Sequence, residues 1–459
     1  MKIGWACVDV TPSRPVILRG QFHARISQRV NDPLTATAMA VEGPDGRGGQ
    51  DQAVVISLDH VGIPHDLSTS LRRRVAAQTP DLDAAKVFVH CTHTHTGPTV
   101  TEGQYPPAGP EAMTPTECAE QLLEGLTAAA VSAWQDRRDG AISRAFGHAV
   151  VGHNRRAVFR DGISKMYART HDEAFERIEG YEDHGVDLLF TWDAARRLRG
   201  VVVNLACPSQ VTENALYISA DFWHETRQAI RRRHGEGLFI LPQCAPAGDQ
   251  SPHFLLYGPQ EAFMRDLSGL SEREVLGRRI ARAVAECVEL AGKAVQNDPI
   301  VRHVAETVEL PARSVSDEQV ASARTELARL EAERPTDERA ASRKFVFQRR
   351  AREVIARYEQ QGEAPTYAME LHALRLGDVA MVTNPFELFL DYGLRIKACS
   401  PAGQTFAVQL ACDYAGYVPT ARAVAGGGYG AEIASNRVGP AGGDVLVERT
   451  LAAIQRVWE

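Results

Sequence analysis

Two rhythms of apolar positions alternate along this chain. Near-continuous apolar runs occur at 53–59 (AVVISLD), 85–91 (AKVFVHC), 186–193 (VDLLFTWD) and 200–207 (GVVVNLAC). They recur at 237–244 (GLFILPQC), 378–384 (DVAMVTN) and 405–412 (TFAVQLAC). Runs of this kind suit strands covered on both faces. Between many of them the apolar residues fall at helical spacing, over 113–134, 221–234 and 271–292. The combination predicts an α/β protein with layered sheets. The opening MKIGWACVDVTP reads as a strand entering the fold directly, GPDGRGGQDQ (43–52) as a hairpin-type loop and VAGGGYGAE (424–432) as a mobile loop. No internal repeat is evident in the sequence.

Residues 316–361 break the rhythm. They are highly charged, with apolar residues at helical spacing. Ser316 is placed to cap a first helix, with Gln319 completing a capping box, and Thr336 to cap a second after the break at Pro335. The segment reads as a helical hairpin inserted into one catalytic domain spanning 1–459, and as a solvated or oligomer-facing arm.

Composition narrows the function. The 459 residues are 44% hydrophobic, ample for a packed core, and carry a formal charge of −7. That balance argues against nucleic-acid and anionic-membrane partners and for a small-molecule substrate, leaving a homo-oligomer open. There is no apolar run of transmembrane length and no secretory pattern at the start. The eight cysteines are scattered without a CxxC, so free thiols in a reducing, cytoplasmic compartment are expected. Cys118 and Cys287, in helical stretches, read as inert core residues.

Many of the strand-like runs end in chemically capable residues: Asp59-His60, Cys91 to His95, Cys207, Cys244 to Asp249, Glu387, and Asp413 to Tyr417. In α/β sheets ligands bind outside the carboxyl ends of strands, so the convergence points to one site built from several segments. In VFVHCTHTHTGPTV (87–100), a strand continuing to His95 would put Cys91, His93 and His95 on one face, with His90 opposite. Paired histidines there suit a metal or acid–base chemistry. HETRQ (224–228) is not a zincin motif, because Gln228 stands where a second histidine is needed. It reads instead as part of a helix starting near Ser219 or Asp221. PQCAPAGDQSP (242–252) exposes Asp249 in a turn, as a base or as a partner orienting a histidine. Arg155 and Arg156 can clamp a carboxylate or polarise a carbonyl. Glu387 and Tyr417 are unspecific when taken singly.

Taken in order, these segments resemble the amidase core of the neutral, non-lysosomal ceramidase family. VDVTP (8–12), VVISLD (54–59), THTHTGP (92–98), NRR (154–156), ISADF (218–222), AGDQSP (247–252), NPFE (384–387) and GYVPT (416–420) follow the family's motifs, and Tyr429 follows as its second tyrosine. The resemblance covers most of the chain outside 316–361. It implies a layered αββα core and a Zn²⁺-dependent amide hydrolase. The implied metal ligands are His93, Glu387 and Tyr417; His95, Arg155, Tyr429 and Ser251 are implied substrate or transition-state contacts. The family's second zinc histidine has no counterpart in NLACPSQ (204–210), where Cys207 is the nearest residue able to ligate. The family's immunoglobulin-like C-terminal domain has no room after Tyr429, and a membrane lipid is therefore not the expected substrate. The expectation is a cytoplasmic zinc-dependent hydrolase of a small polar substrate, cleaving an amide, with His95 or Asp249 moving the proton. The alternatives are a glycosidase pairing carboxylates among Asp59, Asp249 and Glu387, a thiol enzyme using Cys207 or Cys244, and a non-catalytic binding protein.

Overall fold

The structure is a computed structural model that describes residues 1–363 and 365–459. An eight-stranded sheet comprises β1 (Lys2–Asp9), β2 (Thr35–Pro44), β3 (Gln50–Leu58), β4 (Val87–Cys91), β5 (Arg138–His148), β6 (Gly185–Asp193), β7 (Leu198–Leu205) and β8 (Phe239–Cys244), in the order β8-β7-β6-β5-β1-β2-β3-β4. A four-stranded sheet follows: β9 (Val301–Pro311), β10 (Thr366–Leu376), β11 (Val379–Thr383) and β12 (Gln404–Val408), in that order. The two sheets face each other across Trp5, Met39, Phe88, Leu241, Leu374, Met381 and Phe406. This explains why so many strands are apolar on both faces.

Helices cover the outer faces. The first sheet carries α1 (His65–Ala76), α2 (Pro115–Gln135), α3 (Phe222–His234) and α4 (Glu272–Ala291). Two more, α5 (Asp317–Ala332) and α6 (Glu338–Gln360), form the charged hairpin, and the second sheet carries α7 (Leu390–Cys399) and α8 (Pro440–Trp458). The expected mixed α/β layering is therefore the architecture found. The hairpin cap at Ser316–Gln319 forms as expected. The second cap does not: Asp337, not Thr336, accepts from the backbone of Ala340, since a carboxylate one residue nearer the helix is the stronger acceptor for its orphan amides.

One order of elements occurs three times, although the sequence betrays no repeat. Three antiparallel strands are followed by a helix, a fourth strand parallel to the third, and a closing helix. The units are β1-β2-β3-α1-β4-α2, β5-β6-β7-α3-β8-α4 and β9-β10-β11-α7-β12-α8. Sequence comparison misses it because each unit has its own apolar residues and a different first connection: 10–34, 149–184 and 312–365. The α5–α6 hairpin belongs to the third of these connections. Each unit also has one parallel pair (β3/β4, β7/β8, β11/β12), and the segments leaving the carboxyl ends of those pairs meet.

Candidate active site

The segments that meet are those carrying the predicted residues. Glu387-Leu388, after β11, pairs in parallel with Tyr417-Val418, after β12, which sets Glu387 beside Tyr417. His153-Asn154 pairs antiparallel with Gln250-Ser251, so Arg155 adjoins Asp249, whose carbonyl accepts its amide at 2.9 Å. The segment after β4 is tied to those after β3 and β7: the His93 amide donates to His60 O at 2.9 Å and the Ser209 amide to Thr92 O at 3.2 Å.

The strand holding the histidines stops at Cys91 rather than running to His95. The alternation argument therefore fails: His93 has φ +66, a left-handed turn stabilised by its backbone and ring bonds to the segment after β3. The two imidazoles nonetheless end side by side, with ring centroids 4.9 Å apart.

His93 and Glu387 form the centre. His93 Nδ1 lies 2.6 Å from Val61 O, and a carbonyl only accepts, so the ring proton is fixed there. Nε2 then turns to Glu387 Oε2 at 3.3 Å. At that range either a proton on Nε2 or a bound metal ion lies between the two groups. The separation also matches the roughly 3.3 Å between two ligands of a tetrahedral zinc with bonds of about 2.0 Å. Backbone fixation of the distal ring nitrogen is the usual arrangement for a ligating histidine. Burial works to raise the Glu387 carboxyl, but His93, Arg155 and Tyr417 outweigh it and hold it below the usual carboxylate range. The residues present fit a divalent metal.

Around this pair lie three phenols and a guanidinium. Tyr414 donates to Glu387 Oε1 at 2.7 Å. Arg155 donates to Tyr417 OH at 3.1 Å and to Gly248 O at 2.9 Å, and Tyr417 OH is 3.5 Å from Tyr429 OH. Burial, reinforced by the Glu387 charge, raises all three phenols, Tyr429 to about 12 and Tyr414 and Tyr417 well above the usual range, so each stays a donor at neutral pH. Neither ring nitrogen of His95 has a hydrogen-bond partner among the described residues; Glu213 stands 3.6 Å from Nδ1. Burial and the nearby cationic groups hold His95 well below the usual histidine range, and so neutral. Gly20, at φ +115, makes room for it: a Cβ there would lie 2.5 Å from His95 Cγ.

Other expected residues lie further out. Ser251 Oγ accepts from Tyr167 OH at 3.1 Å and from the His253 amide at 3.0 Å. Asp249 is buried, its carboxylate held by Asn154 Nδ2 at 2.9 Å and the amide of Leu390, at the start of α7, also at 2.9 Å. Asp59 is locked to Arg227 by two bonds of 2.8 and 3.0 Å. Cys207 packs in the apolar cluster beneath α3 and α4, its thiol directed at Val151 O (3.6 Å) and Pro208 O (3.5 Å). It forms no common ligand set with His93 and Glu387, because turning its side chain into the core buries sulfur among apolar neighbours. Burial pushes its thiol well above the usual range, and that of Cys244 to about 12.

Among the described residues, one set of three His, Cys, Asp or Glu ligand atoms lies within 4.8 Å: Glu370, His372 and Cys412. Arg72 Nη2 already sits in its midst, bonded to Glu370 and 3.3 Å from both His372 Nε2 and Cys412 Sγ. A fixed guanidinium thus takes the place a metal would need.

The His93–Glu387 centre opens into a pocket of about 670 Å³ lined also by Arg19, Tyr105, Arg349 and Arg350. Arg349 and Arg350 come from α6, so the hairpin borders the site and is not merely a solvated arm. The glycine-rich 424–432 loop is held by Arg156, which donates to Gly427 O at 2.6 Å and to Tyr429 O at 2.9 Å. A second pocket, about 530 Å³, lies by Trp5 and Trp192, and two of its arginines are paired within it, Arg138 with Asp136 and Arg197 with Asp193, both at 2.8 Å. Sequence reasoning missed Tyr414, Tyr167 and Arg19. Only Tyr414 left a signal, standing three residues before Tyr417 on the same segment.

No family model matches the chain, and no curated protein matches its sequence. Solved structures do match. A neutral ceramidase from Pseudomonas aeruginosa superposes with a TM-score of 0.68 at 16% identity, covering 99% of this chain and 74% of that one. A ceramidase complexed with C2 gives the same score and identity, covering 99% and 75%. At that identity the likeness concerns architecture, and the layered α/β fold described above is neutral ceramidase-like.

Proposed function

We propose that this chain is a metal-dependent hydrolase that cleaves an amide bond in a small polar substrate. The observation that carries the reading is the His93–Glu387 pair: Nδ1 is held by a backbone carbonyl, and Nε2 faces the carboxylate at 3.3 Å, the spacing of two ligands on one tetrahedral zinc. His93, Glu387 and Tyr417 would hold zinc, which when bound supplies a Lewis acid and lowers the pKa of water toward about 7.

The other roles belong to side chains of the chain itself. Arg155, with Tyr429 in its protonated form, donates to the oxygen on which negative charge develops as the carbonyl is attacked. Neutral His95 accepts the proton of the attacking water and returns it to the leaving nitrogen. Tyr414 fixes the second oxygen of Glu387. The glycosidase reading loses support because Asp59 and Asp249 are committed to Arg227, Asn154 and the Leu390 amide. The thiol reading loses support because Cys207 and Cys244 are buried thiols with raised pKa values. Hydrolysis of a panel of N-acyl amines and N-acyl amino acids, before and after chelation and zinc restoration, tests the proposal. Metal-restored release of amine supports it; turnover indifferent to chelation, or cleavage of glycosides instead, refutes it. A reducing, cytoplasmic setting accords with the free cysteines, and among the described residues no helix is long and apolar enough to cross a membrane.

A further inference from the structure

The wall of the pocket facing the His93–Glu387 centre is strongly cationic. Six arginines line the pocket against three carboxylates, and each of the three carboxylates already has a partner. Glu387 serves the centre, Asp413 accepts from Tyr367 OH at 2.9 Å and the Tyr414 amide at 2.7 Å, and Glu353 pairs with Arg349. Arg350 is neutralised from outside the lining, by Glu432 at 2.7 Å.

Arg313, Arg357 and Arg437 have no carboxylate partner among the described residues. Arg357 donates to Ile433 O at 2.8 Å and Arg313 O at 2.9 Å; Arg313 donates to Ala431 O at 2.7 Å and Asn436 Oδ1 at 2.5 Å. These are neutral acceptors. The Arg313 amide donates to Arg437 O at 2.8 Å, so the three residues are direct neighbours. The Arg437 side chain is exposed and has no hydrogen-bond partner among the described residues. Burial, then repulsion from Arg437 and Arg313, lowers Arg357 to about 10 despite the opposing charge of Glu353, as expected where guanidinium charges crowd together. Two of the three are held rigidly by backbone carbonyls, and planar guanidinium forks so fixed suit the oxygens of a carboxylate or phosphate.

We propose that Arg313, Arg357 and Arg437 form an oxyanion-binding subsite that takes the carboxylate or phosphate of the substrate, so that the amide cleaved at His93–Glu387 belongs to an anionic molecule. The substrate assignment rests on the hydrolase reading; the binding site itself does not. Two of the three connections between first and second strands build this subsite and its surroundings: 312–365 supplies Arg313 and Arg357, and 10–34 supplies Arg19, which is buried and donates to Gly62 O at 2.6 Å while stacking over Tyr414.

Succinate and inorganic phosphate are titrated separately into the metal-loaded full chain by calorimetry at low salt, and into Arg437→Gln and His93→Ala. Arg437 is exposed, so its variant is expected to fold. The proposal expects at least one anion to bind with a Kd of about 1 mM or tighter, a loss of about tenfold or more in Arg437→Gln, weakening at about 0.5 M NaCl, and less than about a twofold change in His93→Ala. Which anion binds distinguishes a carboxylate from a phosphate ligand. Binding of neither, equal binding in Arg437→Gln, or loss confined to His93→Ala overturns it. Anion binding without amide turnover would retain the subsite and discard the hydrolase reading.

Discussion

Asp59 follows the last residue of β3, beside His60, where the sequence suggests a catalytic carboxylate, yet its surroundings give it a structural task. It accepts from Arg227 at 2.8 and 3.0 Å and from the amide and hydroxyl of Thr35, both at 2.9 Å. The pair is almost wholly buried, with side-chain exposures of 6% for Arg227 and 0% for Asp59. Asp59→Asn keeps the shape and an acceptor for Thr35 but leaves the guanidinium buried without a counter-charge. Breaking such a pair costs about 3–5 kcal/mol. For 459 residues, an unfolding entropy of about 2.1 cal/mol/K per residue makes 1 kcal/mol worth about 1 °C, so Tm should fall by about 3–5 °C. Urea unfolding of Asp59→Asn, Arg227→Met and the double variant should give a coupling energy of about 2 kcal/mol or more, because removing both charges leaves neither stranded. Activity below the transition should persist in Asp59→Asn. Stability within about 1 kcal/mol of the parent together with lost activity would refute the structural assignment and return Asp59 to the chemistry.

Three further outcomes follow from the geometry. Gly20→Ala puts a methyl 2.5 Å from the His95 ring in a backbone conformation that disfavours side chains, so turnover should fall at least about tenfold with a loss of about 1–3 kcal/mol in stability, read by steady-state kinetics and thermal unfolding. Burial works to raise Glu370, but its bonds to His372 and Arg72 hold it far below the usual carboxylate range; its stabilising contribution is therefore full above about pH 4.5 and fades as pH falls toward its lowered pKa. Glu370→Gln should cost about 2 kcal/mol at pH 7, with the gap to the parent narrowing below about pH 4.5 in urea titrations. Iodoacetamide at pH 8 should label exposed Cys7 and Cys399 and spare Cys207 and Cys244 in the folded chain, as mapped by peptide mass spectrometry.

Much of this architecture was legible because strands buried on both faces write themselves as unbroken apolar runs, and seven such runs coincide with observed strands. The longer, half-exposed strands β9 and β10 were not read, since their polar alternation resembles loop or helix edge when taken alone. The three-fold order of elements is a property of pairing, which no single segment carries. Within the site, His93, Arg155, Glu387, Tyr417 and Tyr429 come together from segments spread along the chain; a place just past strand ends pointed to His93, Glu387 and Tyr417, and the ordered family motifs to Tyr429. The reasoning that put His93 and His95 on one face depended on continued pleating, and the left-handed turn at His93 breaks it. Cys207 occupies the anticipated sequence position, but its side chain turns into the apolar layer, a choice set by packing. The arginines of the pocket wall were hidden for the opposite reason: in sequence they are ordinary charges, Arg349, Arg350 and Arg357 on a helix and Arg19, Arg313 and Arg437 in loops, and only the fold gathers them in one wall.

The most direct test of the central claim is the metal content of the purified chain by elemental mass spectrometry, beside His93→Ala, Glu387→Gln and Cys207→Ala. The account predicts about one zinc per chain, lost in the first two variants and retained in Cys207→Ala. Zinc kept by His93→Ala and Glu387→Gln, or no metal in a parent protein purified from zinc-supplemented cells, would contradict it.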